Sequence, residues 1–203
     1  MNLTAVIDFE TTGISPGCGD RAAEVAIVLL EGDRVVDRFQ SLMNAGVHIP
    51  GFITQLTGIT NAMIANAPAA AQVIGEASRF VGAAPLVAHN AAFDRRFWQA
   101  ELAHAGLAAP QPFICTLLLS RRLYPQAPSY KLGALVDYHG LARTGQAHRA
   151  LADAEMAASL LGQIQHDLRV RHRVTQPDPA LLMAPQRCAR TAIGALMARH
   201  AGA

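Results

Sequence analysis

Cysteine, lysine and long apolar runs are scarce in this chain, and each shortage excludes a class of protein. The three cysteines, Cys18, Cys115 and Cys188, are scattered and odd in number. That spacing builds neither a disulfide framework nor a structural zinc site, and it fits a reducing cytoplasm. Cys115 sits in an apolar run and reads as buried packing. No stretch approaches the roughly 20 apolar residues of a membrane span, so no membrane association is expected. The first five residues lack the basic and apolar regions of a secretory signal. Gly13, Gly17 and Gly19 do not form G-x-G-x-x-G, and no Gly-Lys-Ser or Gly-Lys-Thr follows. A dinucleotide or nucleoside-triphosphate loop is therefore excluded, and these glycines serve tight turns. Lys131 is the one lysine, and arginine carries the remaining basic charge.

What is present is apolar bulk. Of 203 residues, 51% are hydrophobic, enough for one complete core. Through Leu168 there are 11 basic and 14 acidic residues, a balance of −3. Beyond it stand six arginines and one aspartate, a balance of +5. The organisation expected is a domain over residues 1–168 and a basic, partly helical extension over 169–203.

Leu3 to Phe9 reads as a buried strand ending at acids, followed by a turn-rich loop through Gly19. Val25 to Leu30 and Arg34 to Met43 read as a hairpin around Glu31-Gly32-Asp33. Ala69 to Val81 has helical spacing, with Val73, Ile74, Ala77 and Phe80 on one face. Leu86 to His89 is a short strand, Ala92 to Ala105 a helix stopping at Gly106, and Phe113 to Cys115 a strand entering a helix through Leu123. Ser129 is placed to cap a helix reaching Tyr138, and His148 to Leu168 is an alanine-rich helix. Three strands followed by alternating helices and strands predict an α/β fold with a mixed sheet covered by helices on both faces.

Three stretches carry chemistry: Asp8-Phe9-Glu10-Thr11-Thr12-Gly13, His89-Asn90-Ala91-Ala92-Phe93-Asp94 and His148-Arg149-Ala150-Leu151-Ala152-Asp153. Asp8 and Glu10 are two apart on a strand, so both side chains leave the same face while Phe9 turns to the other. Two acids so placed among apolar neighbours are costly without a cation between them. Asp94 falls in a helix's first turn, where an acid also complements the dipole. His148 and Asp153 are five apart, about 140° off a common helical face, so the histidine belongs on the loop before the helix that carries the aspartate. Taken singly, each has a plainer explanation as solvated strand-end acids, a helix-start acid, or a surface histidine beside an ion-paired aspartate. Taken together, four carboxylates aimed at one point repel one another. Such a group is held by hard divalent cations such as magnesium or manganese.

The order and spacing of the three stretches resemble the DEDDh branch of the DnaQ-like 3′-to-5′ exonucleases, which includes the proofreading epsilon subunit of bacterial DNA polymerase III. The likeness spans residues 3 to 168 with no departure at a catalytic position. It implies a ribonuclease-H-like fold, a five-stranded mixed β-sheet flanked by α-helices. It also implies two Mg²⁺ or Mn²⁺ ions on Asp8, Glu10, Asp94 and Asp153, with His148 as general base. Two such ions activate a water and stabilise a leaving 3′ oxygen, and a histidine titrates near neutrality. Four added charges would turn the body's −3 into +1, focused at the site.

For the substrate, the resemblance implies that Thr11, Thr12 and Gly13 lie against the terminal nucleotide and that Ile59, helped by Leu56 or Gln55, packs on its base. Phe93 is expected beside that nucleotide, and His89 and Asn90 at a phosphate or as supports. The partner expected is a single-stranded or frayed 3′ end of DNA, with RNA the alternative because nothing separates the two. A DNA polymerase is a further expected partner, and a polymerase-bound proofreading or scaffolding subunit is the rival reading. Ser129-Tyr130-Lys131-Leu132 reads either as a backbone contact or as a capped helix with a solvated lysine. The tail is open to three readings: a nucleic-acid contact, a polymerase dock, or packing on the body. Gln176 ahead of Leu181-Leu182-Met183 is a loose match to a sliding-clamp-binding peptide.

Overall fold

A computed structural model describes residues 3–145 and 148–201. Its strands are β1 (Leu3–Thr11), β2 (Ala22–Glu31), β3 (Arg34–Leu42), β4 (Leu86–Ala88) and β5 (Phe113–Cys115). They form one sheet in the order β3-β2-β1-β4-β5, with β1 antiparallel to β2 and parallel to β4. The helices are α1 (Gly51–Thr57), α2 (Asn61–Ala65), α3 (Ala70–Val81), α4 (Ala92–His104), α5 (Thr116–Leu123), α6 (Leu132–Tyr138), α7 (Ala150–His172), α8 (Pro179–Met183) and α9 (Ile193–Ala198). The expected mixed five-stranded sheet with flanking helices is what the chain adopts. No helix among the described residues is long and apolar enough to cross a membrane.

The alternation along β1 divides the core. Ala5, Ile7 and Phe9 face α3 and α4, where they meet Val73, Ile74, Trp98 and Leu102. Val6 faces the opposite layer with Val28, Ala154, Ala157, Leu161 and Ile164. Small residues along α7 let its axis lie close to β1 and β2. Fully burying a side chain such as Leu161 or Ile164 contributes roughly 1.5–3 kcal/mol, so this face holds α7 firmly. By the same period of two, Asp8 and Glu10 leave β1 toward the α7 layer.

The carboxyl-terminal part is integral to that layer. The expected boundary after Leu168 falls inside α7, which continues to His172. Val174, Leu182, Ile193, Leu196 and Met197 are buried in the same core cluster as Val6. Leu182 is 1% exposed, so the segment read as a loose clamp-binding peptide is turned inward. The Gln186 side chain accepts from Cys115 N–H at 2.7 Å and donates to Phe113 C=O at 3.2 Å, along the outer side of β5.

One local expectation also fails. Ser129 does not cap α6, which begins at Leu132 with Lys131 at its N-cap. The Ser129 hydroxyl instead accepts from Lys131 N–H at 3.3 Å. The extension is partly helical, as expected: α8 is followed, after a break, by a 3₁₀ turn, Arg190–Ala192, that runs into α9.

Candidate active site

β1 delivers Asp8 and Glu10 at its carboxyl end, and α7 delivers Asp153 in its first turn. Ligand oxygens of Asp8, Glu10 and Asp153 lie within 4.8 Å of one another. Asp94, at the start of α4, is 2% exposed and sits behind them, where its charge acts on Asp8. Backbone hydrogen bonds from Phe9 and from its own amide hold the Asp94 carboxylate. The structure thus brings the four predicted acids together from three elements.

Their electrostatics are unfavourable as they stand. Burial, then the charges of Asp94, Glu10, Asp153 and Glu24, raises the Asp8 carboxyl well above the usual carboxylate range. Burial, with Asp153 and Glu24 adding to it, pushes Glu10 up to about 8 against the pull of Arg149. Asp94 is likewise pushed up to about 8, chiefly by burial. Asp153 is raised by burial and drawn back by His148. All the donors are carboxylate oxygens, the set suited to hard divalent ions, so the residues present fit the expected cation pair.

His148 is exposed and stands on the loop before α7, with its backbone in the left-handed region at φ 60°. It shares a cleft of about 750 Å³ with Asp8, Glu10, Thr11, Thr12, Gly13, Asn90, Phe93 and Asp153. The Thr11 hydroxyl donates to Gly13 C=O at 2.6 Å, and the Thr12 hydroxyl accepts from Arg21 N–H at 3.0 Å. The two hydroxyls shape the loop itself. A side chain at Gly13 would meet the Asp20 carboxylate, so the turn needs glycine.

One sequence-based placement changes, and another narrows to one of its two alternatives. Ile59 is fully buried among Ala23, Ile49, Ile53 and Ile64, so it cannot pack on a base. Gly58, at φ 75°, ends α1 and sends Ile59 inward. The apolar wall of the cleft is formed instead by Phe52, Leu56 and Ile14, which are 65%, 50% and 74% exposed. Phe52 and Leu56 are one turn apart on the outer face of α1, while Ile53 and Thr57 point inward. His89 is committed to the protein. Its Nε2 lies 2.9 Å from Tyr130 C=O, which only accepts, so this nitrogen carries the proton. In the neutral ring, favoured by burial, Nδ1 accepts from the Thr116 hydroxyl at 2.9 Å. Its place is that of a support under the loop before α6, not a phosphate contact. Asn90 is exposed at φ 66° on the cleft rim, and Phe93 packs against Phe97 with the rings tilted by 48° and their centroids 4.9 Å apart.

A second groove, about 1020 Å³, continues from His89, Asn90, His148 and Asp153 past Arg121, Lys131 and Arg143. Two further buried acids were not singled out from the sequence. Glu24 on β2 is fully buried and paired with Arg149 at 2.8 Å. Glu101 on α4 is 1% exposed and paired with Arg21 at 2.8 Å. Both lie in ordinary strand or helix patterns, so only the burial of a charge distinguishes them.

Residues 5–161 match the RNase_T exonuclease family. The chain is 39% identical over 165 residues to the 3′-5′ exonuclease DinG of Bacillus subtilis, covering 81% of this chain and 18% of that protein. It is 36% identical over 155 residues to a PolC-type DNA polymerase III of Caldanaerobacter subterraneus, covering 76% of this chain and 11% of that one. The chain therefore spans less than a fifth of the length of these relatives. Among solved structures it is similar to exonuclease X in complex with 5′ overhanging duplex DNA, with 31% identity, a TM-score of 0.67, and coverage of 80% of this chain and 91% of that one. Matched over more than half of its length by that family and by relatives and a solved structure above 30% identity, the chain belongs to the RNase_T exonuclease family.

Proposed function

We propose that the protein is a 3′-to-5′ exonuclease that hydrolyses the terminal phosphodiester of DNA and releases nucleoside 5′-monophosphates. The observation that carries this reading is the group of four convergent carboxylates, three with oxygens within 4.8 Å and, among the described residues, no arginine in a salt bridge with them, beside an exposed histidine in a cleft with an apolar wall. Asp8, Glu10, Asp94 and Asp153 would hold two divalent ions, Mg²⁺ or Mn²⁺. Bound there, such ions supply a lowered water pKa and positive charge opposite the phosphate. His148 stands at the cleft mouth, free to take the proton of the attacking water at a ring nitrogen. Phe52, Leu56 and Ile14 would flank the terminal base through apolar contact, which accepts any base and predicts low sequence preference. Arg121, Lys131 and Arg143 would meet phosphates upstream along the second groove.

A single-stranded or frayed 3′ end of DNA is the proposed substrate, in keeping with the DNA-bound exonuclease X at 31% identity. The likeness to a PolC-type polymerase supports a polymerase as a partner. The test is digestion of matched end-labelled DNA and RNA oligonucleotides with Mg²⁺ or Mn²⁺. Stepwise shortening from the 3′ end, blocked by a 3′-phosphate and indifferent to a 5′-phosphate, is expected. Faster loss of the RNA would reassign the substrate, and shortening from the 5′ end would reverse the polarity.

A further inference from the structure

The loop before α7 carries His148 and the helix's first turn carries Asp153, yet Arg149, the N-cap residue between them, makes no capping hydrogen bond with its side chain. Helix starts leave unpaired N–H groups that need an acceptor. The acceptor here comes from the sheet. Glu24 Oε2 accepts from Ala150 N–H at 3.2 Å and from Arg149 Nε at 3.2 Å. Its Oε1 accepts from Arg149 Nη2 at 2.8 Å and from Gln40 Nε2 at 2.8 Å. One fully buried carboxylate therefore ties β2, β3 and the first residues of α7 together across 125 positions of sequence.

This carboxylate is in an expensive place. Glu24 is the register partner of Glu10 on the neighbouring strand, so it adds a fifth carboxyl group beside four. A neutral side chain would cap a helix without that repulsion. What a carboxylate adds is a planar two-oxygen partner for a guanidinium, fixed in direction as well as distance. Arg149 is held at its side chain, Ala150 at its N–H, and the residue just before them is His148 in its left-handed conformation. We propose that Glu24 is a positioning residue: through Arg149 and Ala150 it sets where His148 and Asp153 stand relative to Asp8 and Glu10. This rests on the exonuclease reading of the same cleft. Groups that orient a metal-binding shell typically control 10–100-fold in metal affinity or activity.

The experiment compares the full chain with Glu24→Gln, Arg149→Lys, Arg149→Met and the double variant Glu24→Gln/Arg149→Met. Three quantities are read: single-turnover cleavage of a labelled oligonucleotide, Mn²⁺ affinity by paramagnetic resonance, and hydrogen exchange at the Ala150 amide. Glu24→Gln should lower the cleavage rate 10–100-fold while oligonucleotide affinity stays within about threefold, and should weaken Mn²⁺ binding. Arg149→Lys keeps the charge but loses the fork, so it should fall between wild type and Arg149→Met. The double variant should be no slower than the slower single one, because both remove the same clamp. Exchange at Ala150 should accelerate in every variant. Folded Glu24→Gln with wild-type rate and Mn²⁺ affinity would overturn the proposal. So would a loss confined to oligonucleotide affinity, which would make Arg149 a substrate contact. If Glu24→Gln fails to fold, the graded Arg149 pair decides alone. A wild type inert toward DNA and RNA would instead sink the exonuclease reading, leaving Mn²⁺ affinity and exchange to judge the clamp.

Discussion

The molecule confines two kinds of acid, one buried and paired with arginine, the other buried or half-buried and crowded against its own kind. Glu24 and Glu101 each face an arginine and further donors: Glu24 accepts from Gln40 and Ala150, and Glu101 from the Ala22 N–H at 2.9 Å. Asp8, Glu10, Asp94 and Asp153 face mainly one another, and burial holds all four above the usual carboxylate range. The first kind is complete as protein. The second is complete only with something cationic added. Burial alone does not separate structural from functional acids, since Glu101 and Asp94 are equally hidden. The identity of the answering charge does.

Substitution should therefore act in opposite directions on the two kinds. The largest effect expected is on turnover: Asp8→Ala or Asp153→Ala should abolish most hydrolysis while the metal-free melting temperature holds or rises, because a repelling charge has gone. His148→Ala should lower the rate by roughly 10²–10⁴ and leave metal binding intact. Near-normal turnover in folded Asp8→Ala would erase the distinction.

Next in size is a stability effect on the answered kind. Arg21→Met strands Glu101, which is 1% exposed. Removing one partner of a buried pair costs about 3–5 kcal/mol, and the partial exposure of Arg21 places this one near the lower end. Urea unfolding measures it. A change below about 1 kcal/mol would show that Ala22 N–H alone satisfies Glu101.

A smaller, graded effect follows from pH. Glu10 and Asp94, at about 8 in the fold, hold protons more tightly than the unfolded chain does. Their neutral forms stabilise the fold fully below the unfolded carboxyl pKa of about 4, and that contribution is lost as pH rises toward 8. Metal-free melting temperature should thus fall between pH 5 and 8.5. Mn²⁺ should restore more of it at pH 8.5, since cations bind the ionised form. A flat profile would mean that the four acids are less confined than their geometry indicates.

The smallest effect is expected at the apolar wall. Phe52→Ala should raise oligonucleotide KM several-fold with kcat and stability nearly unchanged, because the side chain is 65% exposed and can lose little packing. A kcat loss without a KM change would remove it from the base contact.

The unanswered acids were legible because period-two alternation and a helix start are local rules, and Asp8, Glu10, Asp94 and Asp153 obey them. The answered ones were not. Glu24 meets Arg149 across 125 residues, and no local pattern announces a contact of that range. Ile59 was misplaced because an apolar residue in a short motif looks the same whether it faces core or cleft. Helix α1 was missed at seven residues, and Phe52 with it, although Pro50 just before it and the i, i+4 pair Phe52 and Leu56 are visible in hindsight. The tail's composition left three readings open, and only the long-range contacts of Ile193, Leu196 and Met197 with the core single out packing on the body.

The Gln186 amide beside β5 bears on how molecules of this protein meet one another. A strand at the end of a sheet offers unpaired N–H and C=O groups to any extended segment nearby, and a three-residue strand with an apolar surround is a ready template. Gln186 occupies the Cys115 N–H and Phe113 C=O as a neighbouring peptide would, so the sheet stops at five strands. The opposite edge, β3, relies on the charges of Arg34, Asp37 and Arg38. One side of the sheet is thus closed to intermolecular strand addition by mimicry and the other by charge, and salt that screens charge would weaken only the second.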